Sequence, residues 1–131
     1  MLNRSIEADL VPYAQKNSLG VIVYSPMERG LLTGKFFKNG KLKENDHRHG
    51  YFKQFNLEKV STFLDTSSPI AEARNATLAQ LVLCWTSLQP TITVVLAGTR
   101  NEAQAIANAQ AMDINITQQE MQVIANGLSK I

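Results

Sequence analysis

Two apolar runs rich in β-branched residues divide this chain, one at residues 20–24 and the other at residues 91–97. The first run has no polar alternation, which is typical of a strand buried on both faces. Segments with apolar residues at helical spacing lie before, between and after the two runs. This alternation of strands and helices predicts βα units that share a parallel sheet.

The helices are predicted from apolar spacing together with caps and breakers. They cover residues 5–17, 57–64, 70–74, 78–88 and 102–112, and a last helix begins after residue 117. Thr77 is the predicted N-cap of the fourth helix, and Thr117 with Glu120 forms a capping box for the last one. Pro12 predicts a late start or a kink in the first helix, because proline is poorly tolerated deep in a helix.

The segment at residues 25–56 is predicted to be mostly loop, and a loop of this length is usually functional or mobile. It contains a group of basic side chains, namely Lys35, Lys38, Lys41, Lys43, Arg48 and Lys53. A solvated loop is the simpler interpretation, although such a loop also attracts phosphate. His47 and His49 have no third candidate ligand nearby in the sequence, so we predict no metal site.

Two strands alone do not make a covered sheet or a closed barrel, because each would be an edge with unpaired backbone groups. At 131 residues the chain has the length of one domain. Either further strands come from another chain, or this single domain is part of a larger fold.

Composition narrows the class of protein. The hydrophobic fraction of 44% and the charged fraction of 18% are typical of an ordinary globular protein. A net charge of +2 is too small to predict binding to nucleic acid or to a membrane. Cys84 is the only cysteine, so no intrachain disulfide forms, and no apolar signal core or bilayer-length run is present. These features predict a cytoplasmic protein.

Both predicted strands end in residues suited to binding a ligand. The first stops at Tyr24 and passes into a loop punctuated by proline and glycine, as strands do at the mouth of an α/β barrel. The second passes through Gly98 and Thr99 to Arg100, just before a helix start. Free amides at a helix start favour phosphate, and the guanidinium adds a fork of donors.

Three stretches carry a resemblance to a known family, at residues 3–7, 23–35 and 97–108. They resemble the C-terminal part of the aldo-keto reductases, which are TIM barrels that use NADPH to reduce carbonyl compounds. The resemblance covers essentially the whole chain. It implies an α/β fold, a partial TIM (β/α)8 barrel whose two strands resemble barrel strands 7 and 8 with their flanking helices.

The resemblance also implies a set of NADP(H)-binding residues. They are Tyr24, Ser25, Pro26, Met27, Gly30, Leu32, Thr33, Gly98, Thr99, Arg100, Gln104 and Asn108. In the family, the tyrosine stacks on the nicotinamide ring, the loop after it approaches the pyrophosphate, and the arginine with Thr99 holds the 2′-phosphate. The last two residues contact the adenosine half, where Ala107 departs from the acidic residue of many members. The alternative interpretations are a rim aromatic for Tyr24, simple turn geometry for Gly30, and a solvated helix face for Gln104 and Asn108.

The family's catalytic tyrosine, lysine, aspartate and histidine come from the first half of the barrel, and no residue here is assigned to those roles. We therefore expect a C-terminal piece, from a truncated or cleaved protein, that is inactive alone. Two alternatives stay open. One is a structural fragment that self-associates through its strand edges, and the other is one half of a split reductase whose second chain supplies the N-terminal half.

Overall fold

The computed structural model describes residues 1–40 and 42–131; Lys41 lies outside the described residues. The two strands are β1 (Val21–Tyr24) and β2 (Ile92–Leu96). The α-helices are α1 (Leu10–Lys16), α2 (Lys35–Asn39), α3 (Arg48–Phe52), α4 (Leu57–Glu72), α5 (Leu78–Ser87), α6 (Glu102–Ala109) and α7 (Gln118–Leu128). Short 3₁₀ helices cover Ser5–Glu7, Glu28–Thr33 and Gln110–Asp113.

The two strands pair in parallel, as the sequence predicts. Tyr24 lies opposite Leu96 at the end of the ladder, and an irregularity separates Val21 from Ile22. The chain between the strands returns through α2 to α5, so β1 and β2 begin at one end of the sheet and finish at the other. The loops that follow the two strands therefore leave from the same edge.

One face of this sheet is open. Ile22 and Tyr24 on β1 are 62% and 81% exposed, and Val94 and Leu96 on β2 are 41% and 53% exposed. The opposite face packs on helices, with β2 against α5. The prediction that the first strand is buried on both faces is wrong for this structure, because two strands and one helical layer cover only one side.

A helical layer contains the hydrophobic core. Helix α4 packs against both α5 and α7, and the 3₁₀ helix at Glu28–Thr33 packs against α5. The core is formed by Leu31, Leu32, Phe52, Val60, Phe63, Leu64, Ala71, Leu81, Val82, Trp85, Ile124 and Leu128. The predicted N-cap Thr77 begins α5 and the predicted capping box at Thr117 begins α7, and Thr77 also forms a capping box with Gln80. These local signals agree with the packing, which is why both helices begin where the sequence places them.

Helix α4 is continuous where the sequence predicts two helices. Pro69 lies inside it, and proline removes only one backbone donor, the one that would bond to the carbonyl of Asp65. Both residues are exposed, so water can satisfy that carbonyl. The helix therefore runs through a residue that usually ends one.

Of two further segments, one agrees with its prediction and one differs. The first predicted helix starts late, at Leu10, as Pro12 predicts, and Pro12 lies in its first turn, where proline is tolerated. The segment at residues 25–56 contains α2, α3 and a 3₁₀ helix, so it is more ordered than a loop. Within the described ranges, no helix combines the length and apolar character that a membrane span requires.

Candidate functional site

The two predicted ligand-binding segments leave the same end of the sheet, because β1 and β2 are parallel neighbours. We call the segment at residues 25–34 the β1 loop and the segment at residues 97–101 the β2 loop. Tyr24 stands at the end of β1 with 81% of its surface exposed, so its ring is free to stack on a flat ligand. In parallel α/β folds, ligands bind at this carboxyl end of the strands.

The β1 loop turns sharply through left-handed backbone conformations. Ser25, Glu28 and Arg29 have φ values of 52°, 48° and 54°, and Gly30 follows with φ of 93°. Non-glycine residues in this region cost on the order of 1–3 kcal/mol each and often mark ligand-binding segments. The hydroxyl of Thr33 donates to the carbonyl of Gly30 at 2.7 Å, which closes the turn.

Arg48 places a cation beside this loop. Its Nε and Nη2 atoms donate to the Asp46 carboxylate at 2.9 Å and 2.6 Å, and this pairing holds the pKa of Asp46 well below its usual range. A Cβ atom built on Gly30 would lie 3.8 Å from Arg48 Nη1. Within the part of the chain that the structure describes, Nη1 has no hydrogen-bond partner. A phosphate oxygen near Gly30 would therefore find a free N–H donor.

Some predicted residues of the β1 loop do not present their side chains. Leu32 is fully buried in the core, and its backbone N–H donates to the carbonyl of Met27 at 3.2 Å. Pro26 is also buried, and Met27 is half-buried against the core. Ser25 is exposed, whereas Gly30 and Thr33 are half-buried.

The β2 loop is more exposed than the β1 loop. Gly98, Thr99 and Arg100 are all exposed, and Asn101 caps α6 by accepting from the N–H of Gln104. The side-chain oxygen of Gln104 accepts from the N–H of Arg100 at 2.9 Å. The side chain of Gln104 therefore occupies the backbone N–H of Arg100. It would have to release this N–H before phosphate could bind there.

Two open pockets lie near these helices. Asn108 lines one of about 300 Å³ between α5, β2 and α6, close to the β2 loop. The other, of about 460 Å³, contains none of the predicted ligand residues. Its Arg74 is paired with Glu120 at 2.7 Å and donates to the carbonyl of Asn115, so this cation has a structural role. We place the candidate site at the carboxyl edge of the sheet.

The described residues hold no group of three or more histidine, cysteine, aspartate or glutamate side chains arranged to bind a metal. Among the basic residues of the long segment, Lys35, Lys38, Lys43 and Lys53 are exposed and Arg48 is half-buried. In the sequence, Arg48 is one of several cations in a predicted loop. The short spacing from Asp46 is the signal that sets it apart, because it lets the carboxylate fix the guanidinium.

Comparison with known proteins decides the family. Residues 1–127 match the model of the aldo/keto reductase family. The chain belongs to this family. It is 31% identical over 120 residues to the NADH-specific methylglyoxal reductase of Escherichia coli, covering 89% of the chain and 36% of that protein. It is also 31% identical over 115 residues to a probable voltage-gated potassium channel subunit beta of Oryza sativa, covering 83% of the chain and 34% of that protein.

Solved structures agree on the fold. The glycerol dehydrogenase of Gluconobacter oxydans superposes on this aldo/keto reductase chain with a TM-score of 0.84 at 28% identity, over 98% of the chain and 39% of its own length. A thermostable aldo-keto reductase superposes with a TM-score of 0.63 at 21% identity, over 95% of the chain and 36% of its own length, and supports the fold alone. The predicted α/β fold, part of a TIM barrel, is confirmed. The chain spans about a third of the length of the curated relatives that it matches.

Proposed function

We propose that this aldo/keto reductase chain forms the NADP(H)-binding end of a carbonyl reductase. The observation that carries the proposal is the common edge from which the β1 loop and the β2 loop both leave. The exposed ring of Tyr24 ends β1, the half-buried guanidinium of Arg48 lies beside Gly30 of the β1 loop, and the exposed Arg100 lies in the β2 loop. These groups match the flat ring and the phosphates of a nicotinamide dinucleotide.

Each group has a distinct part in the proposed site. Tyr24 stacks on the nicotinamide ring, and Arg48 with the backbone near Gly30 binds the pyrophosphate. Arg100 and Thr99 bind the 2′-phosphate, and Gln104 and Asn108 contact the adenosine. The arginine fork favours a phosphate monoester over a hydroxyl, which makes NADPH the proposed cofactor. The similar methylglyoxal reductase is named NADH-specific, so the preference of this chain between the two cofactors is the property to measure.

The proposed reaction needs a proton donor, a role to which no residue of this chain is assigned. Reduction of a carbonyl moves a hydride from the nicotinamide to the carbon and a proton to the oxygen. The proton requires a placed acid. Tyr51 is bound to Glu28, and burial together with that hydrogen bond raises its pKa to about 12, so it is a poor proton donor. We propose that the chain alone binds the cofactor without turning over a carbonyl substrate, and that it acts in the cytoplasm.

Calorimetry with NADPH tests this proposal directly. Wild-type chain is expected to release or absorb heat on titration with NADPH up to millimolar levels, and Arg48→Ala is expected to weaken binding about tenfold, the loss of one charge-assisted contact. Lys53→Ala, which removes an exposed cation from the same segment, is the matched control. The absence of binding at millimolar NADPH would contradict the proposal, and carbonyl-dependent oxidation of NADPH would contradict the proposed inactivity.

The open sheet face favours a second candidate, in which the chain assembles with further strands. Ile22, Tyr24, Val94 and Leu96 form a contiguous exposed apolar patch at paired positions of the sheet. Such faces associate with other protein surfaces. A second copy of this chain, or a chain that supplies the N-terminal half of the barrel, would cover it. Sedimentation at micromolar concentration separates these cases, since a stable monomer would contradict self-association.

A further inference from the structure

Two side chains of helix α3 lie against three consecutive residues of the β1 loop. Arg48 and Tyr51 are three positions apart, so they lie on one face of the helix. Arg48 lies over Gly30, whereas Tyr51 contacts both Glu28 and Arg29. Phe52, the last residue of this helix, is 3% exposed and anchors the helix in the core.

Tyr51 is held between two residues that have left-handed backbone conformations. Its hydroxyl donates to Glu28 Oε2 at 2.5 Å, and the guanidinium carbon of Arg29 lies 4.0 Å from the centroid of its ring. A charge-assisted hydrogen bond and a cation–π contact therefore meet on one side chain. The two contacts thus join α3 to two left-handed residues of the β1 loop.

Glu28 needs such a partner because it is only 5% exposed. A buried carboxylate without a donor is strongly unfavourable. The hydroxyl of Tyr51 is the hydrogen-bond donor that the described residues supply to this carboxylate.

We propose that Tyr51, held by Glu28 and Arg29, is a positioning residue that keeps the β1 loop in its left-handed conformation and so prepares it for the pyrophosphate. The cofactor part of this inference rests on the proposed function. Tyr51 itself contacts no cofactor in this scheme. It acts through the backbone near Gly30, where the amides of Gly30 and Leu32 both donate to the carbonyl of Met27.

Hydrogen exchange in the free chain tests the positioning without any ligand. Tyr51→Phe is expected to speed exchange at the amides of Gly30 and Leu32 about tenfold, the loss of one charge-assisted hydrogen bond. Exchange in α7 is expected to stay unchanged. Tyr13→Phe, at an exposed tyrosine, is the matched control. Adding Glu28→Gln to Tyr51→Phe is expected to restore part of the protection, because it removes a buried charge that has lost its donor.

Binding of two ligands then tests the link to the cofactor. Tyr51→Phe is expected to weaken NADPH binding about tenfold while leaving the affinity for adenosine 2′,5′-bisphosphate unchanged, since that ligand lacks the pyrophosphate and the nicotinamide. A general loss of structure would weaken both ligands. Unchanged exchange at Gly30 and Leu32, or equal losses for both ligands, would overturn the inference. Failure of the wild-type chain to bind either ligand would overturn the proposed function, and the exchange result would still decide the positioning.

Discussion

The helical layer and the two-stranded sheet differ in how fully each one buries its apolar side chains. Leu81 and Ile124 in the layer are 2% and 1% exposed. Leu96 and Tyr24, on the open face of the sheet, are 53% and 81% exposed. The layer therefore supplies the stability of the chain, and the sheet supplies the edge at which a ligand is proposed to bind. The core side chains and the exposed side chains proposed to bind the ligand can therefore be mutated separately.

The largest expected difference in stability is between leucine-to-alanine substitutions made in the two regions. Leu81→Ala in the core is expected to lower the free energy of unfolding by about 2–5 kcal/mol, whereas Leu96→Ala is expected to change it by less than about 0.5 kcal/mol. Urea unfolding followed by the fluorescence of Trp85, which is buried in the core, measures both. Similar losses for the two variants would show that another surface covers the sheet, and a loss that depends on protein concentration would identify a second copy.

Alanine substitutions at two helical glycines test how tightly each helix packs. A Cβ atom on Gly127 in α7 would lie 2.8 Å from the ring of Phe63, whereas a Cβ atom on Gly50 in α3 meets nothing within 4 Å. Overpacking costs about 1–3 kcal/mol, which exceeds the roughly 1 kcal/mol that alanine gains over glycine in a helix. Gly127→Ala is therefore expected to lower the melting temperature and Gly50→Ala to hold or raise it. Equal shifts would mean that α7 does not pack on α4 as described.

The smallest expected effect on stability concerns pH. Burial and the bond to Glu28 raise the pKa of Tyr51 from 10.0 to about 12. The unfolded chain therefore loses this proton first as pH rises, so the stability that it contributes is intact below pH 10 and is lost between pH 10 and about 12. Wild-type chain is expected to lose about 1 kcal/mol more than Tyr51→Phe between pH 9 and pH 11. If urea unfolding shows equal losses of stability for the wild type and Tyr51→Phe, the raised pKa of the Tyr51 hydroxyl is contradicted.

Local signals explain which elements the sequence predicts well. The capping boxes at Thr77 and Thr117 act within four residues, and they mark the starts of α5 and α7. Continuity of α4 through Pro69 depends on solvent exposure, which no local pattern contains. The open face of β1 likewise depends on how many strands cover it rather than on its own apolar residues.

Sequence patterns likewise predict only the contiguous parts of the candidate site. The motif around Gly30 and the one around Arg100 are visible as sequence patterns because each is contiguous. The contact between Tyr51 and Glu28 joins residues 23 positions apart, and the contact of Arg48 with Gly30 also crosses between elements. Helix α3 creates both contacts, and its segment is predicted as loop. Long-range partners of this kind require the packing itself.

Selectivity between NADPH and NADH is the most direct test of the separation between the stable layer and the binding edge. Arg100 is exposed and lies outside the core, so Arg100→Ala is expected to leave the melting temperature unchanged. Calorimetry is expected to show NADPH binding weakened about tenfold, in line with the loss of one ionic contact, and NADH binding barely changed. Equal losses for both cofactors, or no binding of either by the wild-type chain, would contradict this expectation.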